Sequence, residues 1–185
     1  MEILLESIAA NWPIWLVSVV MIIAAVIDGM ILKVPNWLTF PFIMTGWMHG
    51  MVQAGVGGLA ASLAGTAVGL LLLLAVRAVG GMGGGDVKLL AGLGAWVGVS
   101  SVWWAFVVTT LVGAIMAIVM IACSGQWRKH YYMARQILHE WKTVRNPEKL
   151  SAIAKKRKPD MMLLPYGIPM AVGSILYFAY AGMLI

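Results

Sequence analysis

Two aspartates stand within long apolar stretches of this chain, where a charged side chain is unusual. The sequence is 62% hydrophobic, and Asp28 and Asp86 are the acidic residues inside those stretches. A carboxylate among apolar side chains loses the hydration of its charged form, so such a group usually faces a partner or water. Two carboxyls that share one proton can hold and activate a water molecule. Asp28 and Asp86 are therefore predicted to act together in acid–base chemistry.

Glycines precede the second aspartate. Five of them lie between residues 80 and 85, immediately before Asp86. Each glycine costs about 1 kcal/mol relative to alanine in a helix interior, so an unwound backbone and a hydrated pocket beside Asp86 are predicted. The same residues also allow Asp86 to be a helix N-cap with no further role. If both aspartates react, helix position favours Asp86, at a helix start, as the initial base and Asp28, in the last turns of its helix, as the acid.

The elements that carry these aspartates are predicted to be membrane helices. A chain of 185 residues with only 11% charged residues cannot bury its apolar side chains in one water-soluble core. The sequence predicts an all-α, polytopic membrane protein, and the acidic N-terminus predicts that the first apolar stretch is retained rather than cleaved. Six apolar stretches have lengths expected of crossings, although the fourth is short: 12–32, 37–54, 57–79, 86–99, 102–123 and 165–184.

Basic residues predict the orientation. If the N-terminus is outside, Lys33, Arg77, Lys88 and the ten lysines and arginines within 128–158 all lie on the cytoplasmic side. Both aspartates then lie toward the cytoplasm. The segment 124–164 has helical periodicity with one cationic side, which predicts an amphipathic helix on the membrane. Anchoring to anionic lipid is favoured there over substrate binding, and the net charge of +6 is attributed to lipid contact rather than to nucleic acid.

Four separated motifs resemble those of the type IV prepilin peptidases, which belong to the GxGD class of intramembrane aspartyl proteases. In chain order the motifs are Asp28, Val34-Pro35-Asn36-Trp37-Leu38-Thr39, Gly83-Gly84-Gly85-Asp86-Val87-Lys88-Leu89 and Pro165-Tyr166-Gly167-Ile168-Pro169. The resemblance implies that Asp28 and Asp86 are the catalytic residues. It places the following residues in supporting roles around them: Gly83, Gly85, Lys88, Pro35, Asn36, Pro165, Tyr166 and Gly167. Residues two apart do not face each other on a helix, so Lys88 is expected to extend to the membrane interface rather than pair with Asp86.

The resemblance also implies a substrate. Members of that family cleave short basic leaders from prepilins and pilin-like proteins at the cytoplasmic face of the prokaryotic inner membrane, just before a hydrophobic helix. The sequence has one cysteine, Cys123, so the paired CxxC motifs of bifunctional relatives are absent and the peptidase-only form is expected. Residues 1–185 are then one membrane-embedded domain with an insertion at about 124–164. The chemistry requires no metal or cofactor, and the oligomeric state stays open.

Two other classes of protein remain as alternatives. Paired intramembrane carboxylates also serve as ion sites in proton- or cation-coupled transporters. Against a transporter, both aspartates are predicted near one face, and the sequence has no evident internal repeat. A noncatalytic membrane scaffold, in which Asp86 only caps a helix, predicts that asparagine is tolerated at both positions. Cleavage of a prepilin by asparagine variants separates these alternatives from a peptidase.

Overall fold

The computed structural model describes residues 11–78, 83–125, 127–143, 153 and 164–184. Within these ranges the regular structure is helical, which confirms the all-α prediction. We number five helices, which are α1 at Trp12–Ile31, α2 at Asn36–Ala78, α3 at Gly84–Ser124, α4 at Trp127–Thr143 and α5 at Gly167–Tyr180.

Helix α2 folds back on itself. Its backbone is non-helical at Ala54 and Gly55, between the second and third predicted crossings. The indole N–H of Trp47 donates a 2.9 Å hydrogen bond to the hydroxyl of Thr66, 19 residues along the chain. In a straight helix these residues would be about 28 Å apart, at 1.5 Å per residue. The two halves of α2 therefore form an antiparallel hairpin.

Helix α3 also reverses direction, at Gly98. This residue has φ 77° and ψ −179°, a region of backbone space that is essentially restricted to glycine. Asp86 and Thr110 lie on opposite sides of it, yet both interact with the side chain of Tyr166. A continuous helix would separate them by about 36 Å. The break lies next to the gap predicted between the fourth and fifth crossings.

The described helices have the character of membrane segments. Three of them, α1, most of α2 and α3, are long and apolar enough to cross a membrane, and α5 is a shorter apolar helix. Large apolar side chains are exposed along their outer faces, for example Val52 at 83% and Ile115 at 62%. The chain is thus an integral membrane protein, while the number of crossings stays a prediction.

Close helix packing around α3 depends on glycines. A Cβ on Gly92 would lie 2.5 Å from the ring of Phe42, and one on Gly65 would collide with the carbonyl of Gly94. Small residues at such positions let membrane helices approach until their backbones touch. The buried apolar core that surrounds these contacts joins α1, α2, α3 and α5. Its fully buried members include Val17, Met21, Ala24, Leu89, Leu90, Leu93, Met170 and Phe178.

The predicted basic segment is only partly described. Helix α4 occupies 127–143 of the segment 124–164, and its Tyr131 and Tyr132 side chains are exposed. Its position on a membrane stays a prediction. The acidic N-terminus lies outside the described residues, as do 144–152 and 154–163 of this segment.

Candidate active site

Asp28 lies three residues before the end of α1 and is 3% exposed. Its Oδ2 accepts a 2.7 Å hydrogen bond from the backbone N–H of Gly167, the first residue of α5. The first N–H groups of a helix have no partner within the helix and carry the positive end of its dipole. The start of α5 therefore offers Asp28 an anion-stabilising donor.

Gly167 has to be glycine for this contact to form. A Cβ at this position would lie 2.9 Å from the Cβ of Asp28, 3.1 Å from its Oδ2 and 3.3 Å from the carbonyl oxygen of Ala24. Side chains do not normally approach this closely, so any larger residue would push α5 away from α1. The Pro165-Tyr166-Gly167 motif thus brings the backbone of α5 directly against the carboxyl of Asp28.

Asp86 is the third residue of α3 and is 6% exposed. Its Oδ2 accepts a 3.2 Å hydrogen bond from the backbone N–H of Gly83, the N-cap residue. The interpretation of Asp86 as the N-cap itself is wrong, because the helix begins two residues earlier, at Gly84. Its side chain instead reaches back to the cap, as an acidic residue at the N3 position does.

The predicted unwinding of the glycine run is wrong for Gly84 and Gly85, which form the first turn of α3. Gly83 alone among Gly83, Gly84 and Gly85 is extended, at φ −73° and ψ 153°. Gly85 is needed for a different reason. A Cβ there would lie 2.9 Å from the Cβ of Val34 and would collide with the Val34 carbonyl oxygen. The glycine allows the loop between α1 and α2 to pack against the start of α3.

Lys88 makes a second contact to that loop region. Its ammonium group donates a 2.9 Å hydrogen bond to Oδ1 of Asn36, the first residue of α2, and lies 4.4 Å from the centre of the Phe40 ring. The expectation that Lys88 simply extends to the interface therefore misses this partner. Pro35 precedes the bonded asparagine, and its carbonyl accepts the backbone N–H of Leu38. The motif at 34–36 is thereby attached to the start of α3.

Tyr166 lies near the two aspartates in the fold. Its side chain shares a hydrogen bond with Thr110 and interacts electrostatically with Asp86. The ring edge also lies 3.4 Å from where a Cβ on Gly113 would be. The next residue along the chain is Gly167, which binds Asp28. Two consecutive residues therefore lie near the two acids: Gly167 binds Asp28, and Tyr166 is within electrostatic range of Asp86.

The predicted site residues thus come together at one end of the fold, formed by the end of α1 and the starts of α2, α3 and α5. Sequence reasoning missed three neighbours of this end: Thr110 and Gly113 beside Tyr166, and Arg77, whose guanidinium lies 3.0 Å from where a Cβ on Gly84 would be. Arg77 and Gly113 carry no local motif, and their positions depend on how α2 and α3 fold back.

The geometry changes the argument for which aspartate begins as the base. Asp86 lies in the first turn of α3, as predicted, but Asp28 receives the first N–H of α5. Both carboxyls therefore interact with a helix N-terminus, so the dipole no longer distinguishes them.

Among the described residues, no group of three or more histidine, cysteine, aspartate or glutamate side chains could hold a metal ion.

Comparisons with known proteins agree on one family. A model of the type IV leader peptidase family matches residues 15–120. The chain is 36% identical over 107 residues to the prepilin leader peptidase/N-methyltransferase of Neisseria gonorrhoeae, covering 54% of this chain and 37% of that protein. It is 29% identical over 170 residues to the protein of the same name from Bacillus subtilis strain 168, covering 89% of this chain and 54% of that protein. The chain therefore spans about half or less of the relatives it matches. No solved structure matches it.

Proposed function

Because the chain belongs to the type IV leader peptidase family, we propose that it is an aspartyl endopeptidase that removes the leader from type IV prepilins or pilin-like proteins. Asp28 and Asp86 are the catalytic residues of this proposal. One observation carries it: Gly167 donates its backbone N–H to the buried carboxyl of Asp28, and the preceding residue, Tyr166, lies within electrostatic range of the buried Asp86. Two carboxyls that share one proton can activate a water molecule for peptide hydrolysis without a covalent intermediate.

The proposed reaction needs one ionised and one protonated carboxyl. The carboxylate removes a proton from a water molecule as that water attacks the scissile carbonyl carbon, while the protonated carboxyl donates its proton to the carbonyl oxygen. The carbon–nitrogen bond then breaks as the newly protonated carboxyl gives its proton to the leaving nitrogen. The oxygen returns its proton to the other carboxyl, so the pair is restored. We treat Asp28 and Asp86 as one coupled pair and assign neither as the initial base.

Gly83 and Gly167 have defined roles in this proposal. Each donates a backbone N–H to one carboxyl oxygen, and such donors favour the ionised form. They also restrict the rotation of the two side chains. The remaining oxygen of each carboxyl then keeps a fixed direction, as a reaction requires when water and peptide must be aligned within about an ångström.

We propose further that six helical segments cross a prokaryotic inner membrane, with the aspartates toward the cytoplasm. The antiparallel halves of α2 and α3 count as four segments, and α1 and α5 bring the number to six. Arg77 and Lys88 lie at the aspartate ends of their helices, and Lys33 lies in the loop after α1. Basic residues are enriched on the cytoplasmic side of membrane proteins. In this arrangement α4 faces anionic lipid. The substrate is anchored in the membrane, and its leader is cut on the cytoplasmic side. The whole chain forms a single peptidase domain.

A transporter is not favoured, because the matching family is one of peptidases and both acids lie at one end of the fold. The test of the proposed function is cleavage of a co-expressed prepilin by the wild type, Asp28→Asn and Asp86→Asn at matched protein levels. Each variant should lose all detectable product while remaining in the membrane. Glu140→Gln on α4 is the control and should cleave normally. Cleavage by either aspartate variant contradicts the two-carboxyl mechanism.

A further inference from the structure

An apolar groove runs along the outside of the fold between α1 and α5. Its volume is about 370 Å³, and it is open along the outer face of the fold. Four residues from each helix line it, and none of the eight has a polar side chain. From α1 they are Ile22, Ala25, Val26 and Gly29, and from α5 they are Ile168, Ala171, Val172 and Ile175.

Each wall of the groove is one regular helix stripe. On both helices the lining positions follow the spacing i, i+3, i+4, i+7, which is the face that one helix presents to another. Gly29 faces Ile168 at one end of the groove. Because the other residues of both stripes line the same groove, the stripes run antiparallel, with Ile22 and Ile175 toward the other end. Seven residues correspond to about 10 Å of helix, or two turns. The groove therefore offers two adjacent rows of apolar residues to a third helix.

The groove has a floor of small residues and edges of larger, exposed ones. Ala25, Gly29 and Ala171 are small, and small residues let an incoming membrane helix approach closely. Ile22, Val26 and Val172 are 49%, 56% and 43% exposed, so they form edges that face outward. A groove of this kind can accept the apolar face of a helix, on which the anchoring side chains recur at i, i+3, i+4 and i+7.

One end of the groove lies directly beside the candidate active site. A Cβ on Gly29 would lie 3.5 Å from the Cδ1 of Ile168, and the neighbours of these two residues are Asp28 and Gly167. Those neighbours form the 2.7 Å hydrogen bond that holds the Asp28 carboxyl. A helix lying in the groove would thus place its end next to that carboxyl.

We propose that this groove binds the apolar helix that follows the cleaved bond in a pilin-like substrate. The proposal rests on the proposed function and adds the surface that presents the substrate. The helix packs along the two stripes, and its N-terminal end lies at Gly29 and Ile168. The peptide bond before it then extends past Asp28, while the charged leader stays outside the apolar groove. A lipid acyl chain is a rival occupant, although it does not require two matched helical stripes.

Site-specific crosslinking tests the proposal in the full-length protein. A benzoylphenylalanine is placed at Ile22 or Val172 on the groove edges, and at Ile115 or Ile118 on α3 as exposed controls. Each protein also carries Asp86→Asn, and a prepilin is co-expressed before illumination. Prepilin should crosslink at both groove positions at several times the yield of the controls. Equal yields at all four positions, or crosslinks to lipid alone, overturn the proposal.

A second measurement separates this proposal from the proposed function. The four crosslinker variants are also assayed with Asp86 intact, so that cleavage shows they are folded. Val26→Trp narrows the groove at a position that carries no crosslinker, and we expect the KM for prepilin to rise at least about fivefold with kcat little changed, which is the effect of one strong interface contact. Ile118→Trp should leave the KM unchanged. A normal KM in Val26→Trp contradicts the groove proposal alone, whereas no cleavage by the wild type contradicts both proposals.

Discussion

The backbone N–H of Gly167 donates a 2.7 Å hydrogen bond to Oδ2 of Asp28, across 139 residues of sequence. This contact fixes the carboxyl of α1 against the start of α5. It depends on the missing side chain at Gly167, because a Cβ there would lie 2.9 Å from the Cβ of Asp28. The geometry of the candidate site can therefore be changed without altering either aspartate.

Gly167→Ala should abolish most of the cleavage activity. The added methyl group forces α5 and Asp28 apart, and a displacement of about 1 Å at a reacting group can cost about 100-fold in rate. The measurement is the cleavage rate of a prepilin in membranes containing matched amounts of each protein. Gly57→Ala is the control, because a Cβ there meets nothing within 4 Å. Full activity in Gly167→Ala would show that this close contact has no part in catalysis.

Tyr166→Phe should reduce cleavage without disturbing the fold. The variant keeps the ring that packs beside Gly113 but loses the hydroxyl that bonds Thr110 and lies within electrostatic range of Asp86. Losing one neutral hydrogen bond corresponds to about 0.5 to 1.5 kcal/mol, or about a two- to tenfold lower rate. Initial rates over a range of pH give the comparison. Tyr177→Phe on the same helix should match the wild type, and equal rates for both variants would contradict a role for Tyr166.

Lys88 and Asn36 should act as a coupled pair. Lys88→Met and Asn36→Ala each remove the same 2.9 Å hydrogen bond, and Lys88→Met also removes the contact with Phe40, so the double variant should be hardly worse than Lys88→Met alone. We expect a coupling free energy near 0.5 kcal/mol, the lower end for residues in contact, because this bond is exposed. The coupling free energy is obtained from a double-mutant cycle, by measuring the thermal midpoints of the wild type, the two single variants and the double variant in detergent. Lys33→Met is a matched lysine control, and strictly additive effects would contradict the pairing.

The two aspartates were predictable because a charge in an apolar stretch is visible without any knowledge of the fold. The role of the glycines was not. A glycine can mark either an unwound backbone or a close approach, and the sequence does not distinguish them. Gly85 is helical and is required by the neighbouring Val34, a contact that exists only once the loop after α1 packs on α3.

Contacts that depend on a chain reversal were also beyond the sequence. Thr110 is 24 residues from Asp86, and nothing in its neighbourhood indicates chemistry. It reaches Tyr166 because α3 folds back at Gly98. The same limitation affected the prediction of which aspartate is the initial base. The sequence shows that Asp28 lies near the end of its own helix, but it does not show that the N-terminus of α5 contacts the Asp28 carboxyl. Hydropathy did place the interruptions of α2 and α3 within a few residues.

Gly98→Ala should destabilise the protein, because the turn of α3 uses backbone angles that only glycine adopts readily. At φ 77° and ψ −179° a Cβ is strained even though it meets no atom within 4 Å, and such a residue costs about 1 to 3 kcal/mol. The measurement is the thermal midpoint in detergent, which should fall by several degrees. Gly57→Ala again serves as the control, since it lies within a helix and alanine favours helices. If the hairpin positions Thr110, Gly98→Ala should also lower cleavage, and an unchanged midpoint would contradict this account of the turn.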